Sequence, residues 1–147
     1  MAEVDGLKEK RDDRDFVIQE LEKNPTLLEF ASDRLRDDEE LVLGAIRKDG
    51  GVLEFASDRL KGKKEVVLEA VKEVGWVICY ASEELRADRE VILEGVKVTG
   101  QVLYYASEEL RDDHEIVLEA VKNKGIILKY ASKRLRKDKE IAITAIQ

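Results

Sequence analysis

The chain of 147 residues contains one cysteine, one proline, one tryptophan and one histidine. A single cysteine, Cys79, excludes an internal disulfide and any cysteine-based zinc cluster. No apolar run approaches the roughly 18 residues that a membrane-spanning helix needs. The opening segment, MAEVDGLKEK, lacks the apolar core of a secretory signal. The default expectation is a cytoplasmic protein, with delivery by a secretion system that reads other signals as the exception. No serine elbow and no phosphate loop occurs, and nothing points to a cofactor.

Hydrophobic residues are 44% and charged residues 40%, the balance of a folded and very soluble chain. The net charge of −7 is unevenly placed. Residues 1–110 carry −10 and residues 111–147 carry +3. Such asymmetry can steer partners or favour head-to-tail contacts.

What the chain does have is a 25-residue period without insertion or deletion. Ala31-Ser32, Ala56-Ser57, Ala81-Ser82, Ala106-Ser107 and Ala131-Ser132 mark it, and a leucine follows each serine by three residues. A fixed period of this size implies stacked small units. The units are 11–35, 36–60, 61–85, 86–110 and 111–135. Residues 1–10 precede them as a cap segment, and 136–147 form a half repeat.

In the unit 36–60, Leu41, Val42, Ala45 and Ile46 share one face of a helix. Asp38 supplies its N-cap, and Gly50 is read as a left-handed stop. The equivalents of this helix A lie at about 14–23, 64–73, 89–98, 114–123 and 139–146. In unit one, Asn24-Pro25 is read as the same stop in other residues. The second half, Gly51 to Leu60, has helical spacing too: a helix B, or one turn of it and a serine-capped turn. A strand is the competing reading for Gln101–Tyr105 and Ile126–Tyr130, which are rich in strand formers. Strict alternation is absent there, as is the asparagine ladder of leucine-rich repeats. The expected fold is all-α: an α-solenoid of about five two-helix repeats, closed by a C-terminal capping helix. Glu20 replaces the small residue found at Ala45, Ala70, Gly95, Ala120 and Ala145, as expected if that position faces a preceding unit.

The phrases Tyr80-Ala81-Ser82-Glu83-Glu84-Leu85-Arg86 and Tyr105-Ala106-Ser107-Glu108-Glu109-Leu110-Arg111 resemble the short tandem helical repeats of domain-of-unknown-function family 4116. The resemblance covers residues 11–147. It implies a tandem helical array and assigns no chemistry. Lys61-Gly62-Lys63 departs from the Arg-Asp-Asp of other units.

Asp112-Asp113-His114-Glu115 has the residue types of a metal or acid–base cluster. The same positions read Asp37-Asp38-Glu39-Glu40 elsewhere, so the simpler reading is a helix start containing the one histidine; no catalytic, cofactor or metal residue is assigned. Cys79 reads as a structural thiol. Lys129, Lys133, Arg134, Arg136, Lys137 and Lys139 gather near the C-terminus, but base-reading repeats carry a basic groove along every unit. Nucleic-acid binding there is a remote alternative.

The first and fourth residues of helix B vary from unit to unit. Trp76, Cys79, Gln101, Tyr104, Ile126 and Lys129 form this row in units three to five. Repeat scaffolds place specificity on such rows, and Trp and Tyr are enriched in binding hot spots. The expected function is a non-enzymatic scaffold for a protein or peptide partner, with no membrane contact, monomeric or weakly associated head to tail. The alternative is a purely structural spacer, a fragment or an engineered array with no ligand of its own. Trp76 would then merely fill a gap between units.

Overall fold

The computed structural model of the protein describes residues 2–147, with side chains from residue 5 onward. Long helices recur where the apolar spacing places them: Arg14–Lys23, Glu39–Ile46, Lys64–Glu73, Arg89–Val98, His114–Asn123 and Lys139–Ala145. Asp13, Asp38, Asp88, Asp113 and Asp138 cap them, each accepting the backbone N–H three residues on. That bond satisfies one of the orphan donors of the first turn. Lys63 occupies the cap position before Lys64 and makes no such bond. A further helix, Ala2–Lys10, packs on the first long helix with Leu7 fully buried.

The second half of each unit is helical with a serine-capped turn, as the spacing implies, but its helix is of the tighter kind. It is a 3-10 helix of six residues: Pro25–Phe30, Gly50–Phe55, Gly75–Tyr80, Gly100–Tyr105 and Gly125–Tyr130. There is no strand among the described residues. Each 3-10 helix ends at an extended alanine. The following serine then caps one turn, its hydroxyl accepting from the leucine N–H three residues later. The serine N–H donates to the carbonyl of the residue that opens its own unit: Ser32 to Arg11, Ser57 to Arg36, Ser82 to Lys61, Ser107 to Arg86 and Ser132 to Arg111. The invariant Ala-Ser-x-x-Leu phrase is thereby a buried alanine, a cap that also bonds back to the start of its unit, and a buried leucine.

The glycines need a correction. No described glycine has positive φ, so Gly50, Gly75, Gly100 and Gly125 are not left-handed stops. They open the 3-10 helices at the point where the next unit's long helix lies closest. A Cβ on Gly100 would stand 2.5 Å from the Ala120 carbonyl oxygen, and one on Gly50 would stand 2.9 Å from that of Ala70. The small position of the long helix thus faces the preceding unit. Asn24 is extended as well, at φ −149°, and its side chain accepts from the Thr26 N–H while Pro25 starts the 3-10 helix.

Each long helix packs on the next, and each 3-10 helix packs on the next. The result is a two-layer solenoid with one continuous core of buried Leu, Ile, Val and Ala. Short helices are marginal alone, so this core holds them. No helix is long and apolar enough to cross a membrane among the described residues.

Candidate binding surface

A 3-10 helix has three residues per turn, so positions three apart eclipse one another. Val77, Ile78, Val102, Leu103 and Ile127 point the 3-10 layer's inner face into the core. The pairs Trp76/Cys79, Gln101/Tyr104 and Ile126/Lys129 share the outer face. Trp76, Tyr104 and Ile126 are 45%, 56% and 64% exposed, high values for such large apolar groups.

These residues converge on a cleft of about 430 Å³ lined by Trp76, Gln101, Tyr104, Ile126, Lys129 and Tyr130, among others. Tyr104 meets Tyr105 and Tyr130 edge-on, with ring centroids 5.0 and 5.1 Å away. Trp76 meets Tyr80 at 6.0 Å in the same manner. Lys129 places Nζ 4.9 Å from the Tyr130 ring centroid. Five of the six residues singled out in the sequence therefore line one cleft. Cys79 does not line it; the thiol is half-buried, and burial pushes its pKa up, which disfavours the reactive thiolate.

The remaining polar clusters tie the two ends of a unit together or join one unit to the next. Asp12 accepts from Ser32 Oγ at 2.6 Å and Arg34 Nε at 3.0 Å, and Arg34 also reaches the Asp12 carbonyl at 2.8 Å. Asp37, Ser57 and Arg59 repeat this triad, as do Asp112, Ser132 and Arg134. In the two units between, Gly62 and Ala87 replace the aspartate, and Glu84 and Glu109 replace the arginine. Donor and acceptor are lost together. This coupling was visible within each unit of the sequence, at separations of 20 and 22 residues, and comparison of single positions missed it.

A second ladder runs along the long-helix starts. Arg14 binds Asp38 at 2.7 Å and Glu40 at 2.9 Å. Lys64 binds Asp88 and Glu90, and Arg89 binds Asp113 and Glu115, in the same way. The rung at Lys63 is reversed in sign and pairs with Glu39 at 2.6 Å. His114 occupies this ladder position in unit five, its Nε2 3.6 Å from Asp138 and 3.4 Å from Glu140. Those three groups could jointly offer ligand atoms, which lie within 4.8 Å of one another. The matching Arg and Lys rungs explain the cluster without a metal.

The ladder gives the fold an acid limit. Arg14 holds the Asp38 carboxyl below its ordinary 3.8, against the opposing effect of burial. Burial pushes Asp113 up, but Arg89 and the Ile116 N–H outweigh it. Carboxyls lowered in the folded state contribute stability above their ordinary value and lose it as pH falls through the folded one. The thermal midpoint is expected to hold between about pH 7 and about pH 5 and to fall below about pH 4. Asp38→Asn with Asp113→Asn, which keeps both caps, should flatten that fall in circular-dichroism melts.

A second, smaller cleft of about 180 Å³ lies between the first two long helices, beside Ile18, Leu21 and Gly44. Its rim is closed by the Arg14–Glu40 and Lys48–Glu22 pairs. It is the gap left by Gly44 where other units have Gln19, Glu69, Glu94 or Glu119.

The chain belongs to the family described as Domain of unknown function (DUF4116), whose model matches residues 11–61, 63–111 and 113–147. Each of the first two matches spans two of the 25-residue units. No curated protein and no solved structure matches the chain.

Proposed function

We propose that this DUF4116 array is a non-catalytic scaffold that binds a protein or peptide through the 3-10 face of units three to five. The observation that carries this reading is the convergence of exposed Trp76, Tyr104 and Ile126 on one cleft. Scattered apolar residues on a surface need no explanation, whereas a clustered aromatic set with polar neighbours marks an interaction site. The outer side chains ride on 3-10 helices whose inner faces are locked into the core. A partner would meet an ordered surface, with little to lose in ordering it.

Affinity capture with the full chain as bait tests the reading. The parent should retain a defined set of proteins, and Trp76→Ala combined with Tyr104→Ala should lose them. Identical recovery by parent and double variant would place the binding surface elsewhere.

A further inference from the structure

We propose that the occupant of the Trp76–Tyr130 cleft is an acidic segment of a protein partner: an aromatic or large aliphatic anchor flanked by Asp or Glu. This rests on the cleft being the binding surface. Its lining includes Lys124 and Lys129 and no carboxylate. Tyr130 also lines the adjoining groove between units four and five, so the two surfaces are continuous.

Comparison of equivalent grooves shows where free positive charge collects. Between units one and two, the groove lining holds the acids Asp33, Glu54 and Asp58 against Arg36 and Lys61. Between units four and five, Arg111, Lys133, Arg134 and Arg136 face Glu108 and Asp112. Asp112 is already engaged by Ser132 and Arg134. The same surface changes from net acidic to net basic within one molecule.

Arg14, Lys63, Lys64 and Arg89, upstream, are spent on the ladder. Arg111, Lys124, Lys129, Lys133 and Arg136 enter no ion pair among the described residues. Arg111 Nε is buried without a hydrogen-bond partner, as are Arg36 Nε and Arg86 Nε; the Arg36 guanidinium is nevertheless engaged by Asp33. A planar guanidinium whose terminal nitrogens enter no ion pair suits a carboxylate, which can take two donors at once. Aromatic faces beside cations also suit single-stranded nucleic acid, but that ligand needs positive charge along its whole track. Here the basic stretch spans one junction and its upstream equivalent is acidic, so a short acidic peptide fits better.

Panning a displayed library of random peptides on the full chain tests this. Enriched peptides should be net negative and contain an aromatic or large aliphatic residue. A synthetic copy should perturb the emission of Trp76, the one tryptophan. Its affinity should fall about tenfold or more in Lys129→Glu with Lys133→Glu, and fall as salt is raised. Both lysines are exposed, so the variant should melt as the parent does. Neutral or basic peptides that still require Trp76 and Tyr104 would overturn the acidic occupant and leave the cleft reading intact. Binding indifferent to Trp76→Ala with Tyr104→Ala would overturn both. Displacement of the peptide by oligouridylate at equal or lower concentration would make nucleic acid the occupant and overturn the proposal.

Discussion

Gly100→Ala is expected to destabilise the array by about 3 kcal/mol, whereas Gly44→Ala is expected to stabilise it by about 0.5–1 kcal/mol. The two substitutions are chemically identical and differ only in what the new methyl group meets. At Gly100 it would lie 2.5 Å from the Ala120 oxygen and 3.2 Å from its carbonyl carbon. That obstacle is backbone of the next unit, which cannot rotate aside as a side chain could. Relief requires the two units to part, and the interface loses packing along its length. At Gly44 nothing lies within 4 Å of the added carbon. There the methyl only restricts the unfolded chain and improves helix propensity. Denaturant melts of both variants check the pair. Equal effects would mean that the glycines of the 3-10 starts are there for backbone freedom and not for close approach.

Leu85→Ala is expected to cost about 2–5 kcal/mol, against little change for Glu84→Ala. Leu85 closes the Ala-Ser-x-x-Leu phrase in the middle of the stack and is buried; Glu84 beside it is exposed. Truncating the leucine leaves a cavity in the continuous core of the stack. Urea melts should show the midpoint moving for the first variant alone. Similar shifts for both would mean that the buried and exposed faces of this turn are misassigned.

Much of this architecture was legible in the sequence. The long helices fall within a few residues of the limits set by apolar spacing and aspartate caps, because both signals are local. The 3-10 geometry was not legible. Val52, Leu53, Phe55 and Ala56 fit spacings of three and of four about equally, and six residues are too few to separate them. The glycines were misread for a related reason. A glycine after a helix commonly marks a left-handed cap, but here its cause is an atom about twenty residues further on.

The candidate site was partly legible. Trp76, Tyr104 and Ile126 stand out as large apolar residues at positions that are polar in the first units. Which of them meet was not readable, and Cys79, in the same repeat position as Tyr104, falls outside the cleft. Phase within the repeat fixes a residue's face, while the size of its neighbours decides whether a cleft forms there. The free cations around Arg111 were hidden for the same reason, since each ladder pair joins residues about 24 positions apart.

The central claim is that constant positions hold the fold and that the Trp76–Lys129 row is left free for a partner. It is tested most directly by the thermal midpoint of Trp76→Ala with Tyr104→Ala, measured beside Leu85→Ala. The account predicts that the double variant melts within about 3 °C of the parent. A fall as large as that given by Leu85→Ala would contradict it, and would make Trp76 and Tyr104 packing residues of the solenoid.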